Sequence, residues 1–379
     1  MNRARRPPRA RDDSGPPPVR PAERLLIEAV PELDAERIVC TSAGRAQFAA
    51  EAARQLSGGR VTCLYLDLHQ AEQARRLQAE IANLSIVCQS DLPEEEVDAV
   101  ALPFLKNGEA ELARELIQQG LLRLRAGGRM LCASDDPRDA WLHDELRSLF
   151  PKVTRRPARD GVLYLATKRD APKKIKSFLA EFKFRDGERL VEVVSRPGVF
   201  SHRRVDPGAR AVLERMDVGA GEKVFDIGCG SGVLTLAAAQ RAPDVRVFAV
   251  DSNPRAVECT LEGVRRNGLE NVAVRLDAQA ACDEPGSCDL VVANPPYFSN
   301  YRIAEIFLRG AHAALKPEGR LLVVTKRPEW YVEWLMPAFR ELTVAEVRRY
   351  AVIRAAGPTV GGDPHRSAAR NSGPRGRRR

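Results

Sequence analysis

A short apolar run that leads into three closely spaced glycines constrains the fold of this chain most. Residues 224–227 read Val-Phe-Asp-Ile, and a helical pattern occupies residues 233–241. Between them stand Gly228, Gly230 and Gly232. Glycine permits a tight turn and the close approach of a ligand to the backbone. The pattern predicts a strand, a turn and a helix, the unit with which α/β folds bind ligands at the carboxyl edge of a sheet.

Two more apolar runs follow, and each ends in an acid. Residues 245–250 end at Asp251, and residues 272–276 end at Asp277-Ala278. An acid at the tip of the second strand can accept hydrogen bonds from both ribose hydroxyls of a nucleoside. Asp277 and Ala278 would then be placed to meet an adenine ring.

The most specific motif is Asn294-Pro295-Pro296-Tyr297, directly after the apolar residues 290–293. Prolines donate no backbone hydrogen bond and stiffen the chain. Their carbonyls and the Asn294 side-chain oxygen are therefore left to accept hydrogen bonds, and Tyr297 offers a flat face for stacking. These four residues suit one task, which is to hold a planar, weakly nucleophilic nitrogen against an electrophile.

The order of these motifs decides between two kinds of nucleotide site. The glycine turn reads Gly-x-Gly-x-Gly and not the dinucleotide fingerprint Gly-x-Gly-x-x-Gly. A nicotinamide cofactor would also use Asp251, but hydride transfer has no use for the Asn-Pro-Pro-Tyr tetrad. Asp226 and Asn294 are 68 residues apart, which leaves room for three strand–helix units. The combination therefore argues against a dinucleotide-dependent dehydrogenase.

With these motifs, residues 189–356 resemble the class I S-adenosylmethionine-dependent methyltransferases of the small-domain type, which methylate exocyclic amines. The resemblance extends upstream to residues 196–201, Arg-Pro-Gly-Val-Phe-Ser, and to residues 206–208, Asp-Pro-Gly. A Pro-Gly-Val-Phe-Ser segment before the glycine turn is characteristic of the bacterial ribosomal RNA guanine-N2 methyltransferases. The resemblance implies S-adenosylmethionine as the cofactor and the exocyclic N2 amine of a guanosine as the target. It implies ribosomal RNA or a ribosomal subunit as the partner.

The cofactor-binding residues take their expected roles from this resemblance. Asp226 and the backbone of the three glycines would hold the methionine moiety. Asp251 would bind the ribose, and Asp277 with Ala278 the edge of the adenine. Asn253 is interpreted either as a second ribose contact or as the cap of the following helix.

The catalytic tetrad and its upstream segment complete the expected site. Asn294 and the Pro295 carbonyl would accept hydrogen bonds from the target amine, and Tyr297 would stack on the base. The resemblance implies that Phe200 closes over the cofactor; packing in the core is the other interpretation. Guanine-N2 enzymes often have Phe where this chain has Tyr297.

Three other functions are compatible with the same residues. The tetrad also occurs in enzymes that methylate the glutamine side chain of translation release factors and in adenine-N6 DNA methyltransferases. A noncatalytic RNA-binding factor in ribosome assembly is the third alternative. A duplicated first half and the Phe200 segment favour ribosomal RNA over the first two, and intact Asp226, Asp251 and Asn294 argue against the third.

The first half of the chain reads as a copy of the second. Asp98 and Gly128 are 30 residues apart, as are Asp289 and Gly319. A similar apolar run follows Asp98 and Asp289, so we predict an internal repeat of whole-domain size.

The first copy has lost the residues that carry the chemistry. Cys40 stands where Asp226 would, and the turn after it keeps a single glycine, Gly44. Asp67 is interpreted as a helix cap. We therefore expect the first half to bind no cofactor, to contact RNA and to stiffen the second half.

The fold prediction is α/β, with two Rossmann-like methyltransferase domains whose seven-stranded sheets are mainly parallel. In the second domain, residues 342–355 should form the last two strands as an antiparallel pair. We expect a disordered basic tail at residues 1–20, a degenerate domain at 21–168 and an exposed linker at 169–188. A catalytic domain should follow at 189–356, and a disordered Arg-rich tail at 357–379.

Charge and composition indicate which class of partner and which cellular compartment to expect. The formal net charge is +9, and the two tails carry it, so they should attract phosphate without reading sequence. Within the linker, Lys183 and Arg185 alternate with Phe182 and Phe184, a pattern that fits an RNA groove. For Phe178 and Phe182, which are four residues apart, core packing is the favoured interpretation.

Eight dispersed cysteines without a Cys-x-x-Cys pair indicate reduced thiols and no metal site. No apolar run approaches the ~20 residues of a membrane span, and the N-terminus lacks the apolar segment of a secretory signal. We expect a cytoplasmic monomer with no membrane partner.

Overall fold

The computed structural model describes residues 19–56, 58–170, 174–296 and 301–359. They divide into two compact units between Phe178 and Leu179. None of the helices in these ranges has the length and apolar character that crossing a bilayer requires. Most of each predicted tail, 1–18 and 360–379, lies outside the described residues.

The first unit alternates strands and helices from its start. Its helices are α1 (Pro21–Glu28), α2 (Gln47–Gln55), α3 (Leu68–Leu77), α4 (Ala110–Arg123) and α5 (Trp141–Leu149). Its strands are β1 (Arg37–Thr41), β2 (Arg60–Tyr65), β3 (Leu84–Cys88), β4 (Val97–Phe104), β5 (Leu124–Ser134), β6 (Val153–Ala158) and β7 (Gly161–Thr167).

The second unit opens with a hairpin and then repeats this plan. Its helices are α6 (Pro207–Arg215), α7 (Val233–Arg241), α8 (Pro254–Arg266), α9 (Arg302–Ala314) and α10 (Pro328–Leu335). The hairpin strands are β8 (Ala180–Asp186) and β9 (Arg189–Ser195). The other strands are β10 (Lys223–Ile227), β11 (Arg246–Asp251), β12 (Val272–Leu276), β13 (Cys288–Ala293), β14 (Leu315–Thr325), β15 (Phe339–Val347) and β16 (Tyr350–Pro358).

The two large sheets share one topology. The strand orders are β3-β2-β1-β4-β5-β7-β6 and β12-β11-β10-β13-β14-β16-β15. The first five strands of each are parallel, and the last two pair antiparallel. The predicted fold of two mainly parallel, seven-stranded domains is thereby confirmed.

Alternation along the central strands produces a core on each face of the second sheet. Leu290 and Val292 pack with Val224 in one buried cluster. Val291 and Phe225 belong to the cluster on the other side. Side chains two residues apart share a face, so a run that is apolar throughout is buried on both sides. This explains why these strands show no polar alternation in the sequence.

The expected linker at 169–188 ends earlier than predicted, because residues 180–186 form strand β8. Its pairing with β9 places Phe184 opposite Val191, and both side chains are buried in the core beside β10. Lys183 forms an ion pair with Glu192 on the same hairpin. The alternation of aromatic and basic residues is therefore that of a half-buried strand, and the RNA-groove interpretation of Phe184 is wrong. At the other end, β16 continues two residues past the predicted boundary at 356.

Individual side chains repeat their roles in the two units. Asp98 accepts hydrogen bonds from the backbone N–H of Arg37 at the start of β1, and Asp289 does the same for Lys223 at the start of β10, at 2.9 Å. A basic side chain pairs with each acid, Arg125 with Asp98 and Lys316 with Asp289. The repeat predicted from spacing thus extends to matching contacts.

The turn after β1 is filled by a carboxylate of its own unit. Glu23 of α1 is fully buried. One of its oxygens accepts hydrogen bonds from the Ser42 hydroxyl and from the backbone N–H groups of Ala43 and Gly44, the latter two at 2.7 and 3.1 Å. The other oxygen accepts from the N–H of Phe48 at 3.4 Å. The turn that would face a ligand in a working copy already has an anionic partner, which gives a physical reason to expect no cofactor there.

We expect Glu23→Ala to destabilise the first unit by about 2–4 kcal/mol, since bonds to a charged group contribute about 1.5–3 kcal/mol and the buried donors would be left without their acceptor. Hydrogen–deuterium exchange of peptides from β1 and α2 would measure the loss. Glu28→Ala, on the exposed end of the same helix, is the control and should leave protection unchanged. Equal protection in both variants would contradict the role given to Glu23.

Candidate active site

Three of the predicted polar residues meet at one edge of the second sheet. Strand β10 lies between β11 and β13, and both pair with it in parallel. Asp226 is near the end of β10, Asp251 ends β11, and Asn294 follows β13. Parallel strands bring their carboxyl ends to the same edge. The geometry therefore gathers side chains that are up to 68 residues apart in sequence.

Asp226 is buried with half of its carboxylate unused. Its Oδ2 accepts a hydrogen bond from the Thr235 hydroxyl at 2.6 Å. Its Oδ1 is buried without a hydrogen-bond partner among the described residues. Burial, with a smaller contribution from the Asp251 carboxylate, raises the pKa of Asp226 to about 7 in spite of the bond from Thr235. A buried acceptor of this kind suits a cationic or hydrogen-bonding group brought by a ligand.

The glycine turn has a backbone conformation that favours glycine at three positions. All three glycines have positive φ: 78° at Gly228, 57° at Gly230 and 83° at Gly232. A Cβ on Gly228 would also lie 2.8 Å from the ring of Phe307. The turn folds back onto β11, because the N–H groups of Gly228 and Cys229 donate to the Val250 carbonyl.

Asp251 is held by the same turn. Its Oδ2 accepts from the Gly230 N–H at 2.8 Å, and its Oδ1 accepts from the Asn253 N–H at 2.9 Å. These two bonds orient the carboxylate at the end of β11, and the ribose contact stays a prediction.

Asn253 is the cap of α8, one of its two predicted roles. Its Oδ1 accepts from the Arg255 N–H at 2.9 Å, and its Nδ2 donates to the Gly198 carbonyl at 2.7 Å. The ribose contact stays a prediction. Asp277 likewise shapes its own loop, accepting from the N–H groups of Gln279 and Ala281 at 2.8 and 3.0 Å. Ala278, beside it, is half-buried, and the adenine contact of this pair also stays a prediction.

The segment before α6 is anchored beside the turn. Arg255 is fully buried, and its Nη1 donates to the Pro197 carbonyl at 2.7 Å. The Phe200 carbonyl lies 4.0 Å from where a Cβ on Gly230 would stand. The Phe200 side chain is 51% exposed, so the core-packing interpretation of this residue is wrong.

Asn294 is oriented by an acid that sequence reasoning missed. Its Nδ2 donates to Asp206 Oδ2 at 2.9 Å, and the same oxygen caps α6 by accepting from the Ala209 N–H at 3.0 Å. The Asn294 Oδ1 is buried and has no hydrogen-bond partner in the described part of the chain. The contact to Asp206 thus determines which end of the amide accepts. The dipeptide Asp206-Pro207 has the signature of a helix start, but that signal does not reveal the partner across the site.

The rest of the tetrad is only partly described. Pro295 is buried and Pro296 is half-buried, whereas Tyr297 lies outside the described residues. Beyond that gap, Tyr301 is the N-cap residue of α9 and stacks on Trp330 of α10, with ring centroids 4.5 Å apart.

Comparisons with known proteins agree with this geometry. A model of the methyltransferase small domain matches residues 190–354. Ribosomal RNA small subunit methyltransferase C of Chromohalobacter salexigens is 38% identical over 170 residues, 42% of this chain and 50% of that relative. The protein of the same name from Pseudomonas entomophila is 30% identical over 273 residues, 70% of this chain and 80% of that relative.

A solved structure shares the whole fold. It is the T. thermophilus 16S rRNA N2 G1207 methyltransferase in complex with AdoMet and guanosine. It matches with a TM-score of 0.73 and 24% identity, over 89% of this chain and 92% of that one.

Fold and site together define a methyltransferase of the small-domain class. The chain belongs to the family of ribosomal RNA small subunit methyltransferase C, because its match to the Pseudomonas relative covers most of both proteins. With the Chromohalobacter relative, the match spans about half of that protein's length.

The raised pKa of Asp226 predicts a pH-dependent stability. Between pH 5 and 8 the folded state loses a proton from Asp226 that the unfolded state has already lost, so the free energy of unfolding should fall with rising pH. Asp226→Asn should remove about 2–3 kcal/mol of this fall, since each pKa unit corresponds to about 1.4 kcal/mol. Urea unfolding followed by Trp330 and Trp334 fluorescence, with Trp141 replaced by Phe, would measure it.

The exposed Asp217→Asn is the matched control, and its pH dependence should equal that of the parent protein. If Asp226→Asn also showed the parent's pH dependence, Asp226 would not be the group that titrates.

Proposed function

We propose that the chain transfers a methyl group from S-adenosylmethionine to the exocyclic N2 amine of a guanosine in ribosomal RNA. The observation that carries the proposal is the buried, unpartnered Oδ1 of Asn294, held in one orientation by Asp206. The names of the relatives and the AdoMet and guanosine of the T. thermophilus structure support the choice of cofactor and base. We also expect the protein to act as a cytoplasmic monomer.

The described residues fit S-adenosylmethionine. Asp226 Oδ1 is a buried acceptor suited to the amino group of the methionine moiety. The glycine turn leaves room for close approach, and Asp251, oriented by the N–H groups of Gly230 and Asn253, would accept hydrogen bonds from the ribose hydroxyls. Asp277 and Ala278 follow the next strand, where the adenine would lie. The cofactor supplies an electrophilic methyl group on a sulfonium sulfur.

The chain's own task is to place and polarise the target nitrogen. The guanine amine is planar because its lone pair is delocalised into the ring. Hydrogen bonds from its two N–H groups to Asn294 Oδ1 and to the Pro295 carbonyl would favour a pyramidal nitrogen. Near-attack placement can contribute about 7–11 kcal/mol in enzymes, and the two acceptors would stabilise positive charge as it develops on nitrogen.

The base must reach this buried edge outside any helix. A target nucleotide in a duplex has to leave the stack, and Tyr297 would then stack on it. A strong general base is unnecessary, because the methylated ammonium-like nitrogen is acidic and releases its proton to water.

Asn294→Ala should lower the rate of methyl transfer by about 10²–10³-fold, the size of effect seen when one preorganised polar group is removed from a reacting centre. Affinity for S-adenosylhomocysteine, measured by calorimetry, should stay within twofold of the parent, because Asn294 contacts the target only. Asp226→Ala is the matched control and should lose cofactor affinity instead. Equal loss of affinity in both variants would contradict the separate roles.

The methyl acceptor is identified by transfer of radiolabelled methyl groups to ribosomal subunits, extracted ribosomal RNA, release factor and DNA, followed by nucleoside analysis. N2-methylguanosine in RNA is the expected product. Label in adenine of DNA would indicate an adenine-N6 methyltransferase, and label in glutamine of the release factor would indicate a glutamine methyltransferase. No label in any substrate would favour the noncatalytic alternative.

Asp206→Ser should separate helix capping from the orientation of Asn294. Serine is a preferred cap and keeps the bond to the Ala209 N–H, but its shorter side chain does not reach Asn294. We expect kcat to fall about tenfold or more, since a bond to a charged group contributes about 1.5–3 kcal/mol. Asp206→Asn retains an acceptor and should recover part of kcat.

Thermal unfolding and the KM for RNA should change little in Asp206→Ser. The corresponding change at another cap, Asp67→Ser on α3, is the control and should leave kcat unchanged. A lower melting temperature in Asp206→Ser with normal kcat would assign Asp206 to capping alone.

A further inference from the structure

The turn between β15 and β16 carries two arginines in an unfavourable backbone conformation. Val347 pairs with Tyr350, so Arg348 and Arg349 form a two-residue hairpin turn. Their φ angles are 51° and 65°. A turn with positive φ at both central residues favours Asn-Gly, and residues with a Cβ are disfavoured there. Local strain of this kind is often found where a side chain has a function.

The turn stands at the same edge of the sheet as Asn294. Strand β13 pairs in parallel with β14, with Ala293 opposite Val323. Strand β16 pairs antiparallel to β14, with Thr325 opposite Ala351. The turn before β16 therefore lies beside the carboxyl end of β14.

Two further cations follow β14 at this edge, Lys326 and Arg327. A strand spacing of about 4.8 Å and a rise of about 3.3 Å per residue put the Cα of Lys326 about 8 Å from that of Asn294. The Lys326 ammonium lies 5.0 Å over the ring of Tyr350, next to the turn. The Arg327 N–H donates to the Thr325 hydroxyl at 3.1 Å, which holds the start of α10 in place.

The charge at the turn is only partly neutralised. Arg348 forms an ion pair with Glu214 of α6. Arg349 is exposed, and its side chain has no hydrogen bond or ion pair to the described residues. Glu346, on β15, is the acid closest in sequence. The two-residue turn fixes the direction in which the Arg349 side chain leaves the backbone, and arginine is the side chain that best matches phosphate oxygens.

We propose that the Arg348–Arg349 turn, together with Lys326 and Arg327, binds backbone phosphates of the RNA next to the methylated nucleotide. Phosphate contacts fix register and orientation and do not read bases. The turn would thus position the strand so that the target base enters the site at Asn294. The inference rests on the proposed function, since it requires RNA as the substrate.

The decisive variant is Arg348→Asn combined with Arg349→Gly, because it installs the preferred turn sequence while removing both charges. Thermal unfolding should show equal or higher stability than in the parent. In methylation assays on 16S ribosomal RNA, the KM should rise about tenfold at 150 mM salt, with kcat and affinity for S-adenosylhomocysteine unchanged. The slope of log affinity against log salt should fall by about 0.7 for each phosphate that the protein no longer neutralises.

Two matched variants complete the test. Arg348→Lys with Arg349→Lys keeps the charge and should retain RNA affinity within about threefold. Arg246→Gln removes an exposed charge at the amino end of β11 and should change neither KM nor salt slope.

Normal RNA affinity in the Asn-Gly variant, or weaker affinity with an unchanged salt slope, would overturn the phosphate role. A lower thermal stability of that variant would instead show that the two arginines stabilise the fold. If the parent protein methylated no RNA, the proposed function itself would fail, and that result is distinct from the others.

Discussion

The parallel pairing of β10 with β11 and β13 is the constraint on which the site depends. It brings the buried carboxylate of Asp226, the carboxylate that ends β11 and the amide of Asn294 to one edge, although the three residues belong to separate parts of the sequence. Because the strands are buried on both faces, a slip of register by one residue would exchange the side chains that pack in the two core clusters. The packing that stabilises the sheet therefore also fixes the relative positions of Asp226, Asp251 and Asn294.

Two unused oxygens distinguish this edge from an ordinary strand terminus. Buried polar atoms in folded proteins are nearly always paired, yet Asp226 Oδ1 and Asn294 Oδ1 have no partner among the described residues. The other polar atom of each group holds it in place: Asp226 Oδ2 accepts a hydrogen bond from Thr235, and Asn294 Nδ2 donates one to Asp206. Each side chain is preorganised, because the hydrogen bond of one polar atom fixes the direction in which the unpartnered Oδ1 can accept.

Regular features of the chain could be predicted from sequence, and contacts across the site could not. Helix α7 and strand β12 have the predicted bounds, because a glycine turn and a clear apolar run define their ends. The hairpin strand β8 was missed, since alternating aromatic and basic residues suit both a half-buried strand and an RNA surface. The hydrogen bond that Asn294 donates to Asp206 joins residues 88 apart, and helix-start signals carry no information on such partners.

The carboxylate of Glu23 occupies the turn after β1 as well as stabilising it. Being tethered, it competes for the N–H groups of the β1 turn at a high effective concentration, and any free anion would have to displace it. Restoring an acid at Cys40 would therefore not recreate a binding site while Glu23 remains. Ligand binding at this turn would therefore require a change on α1 as well as changes in the turn itself.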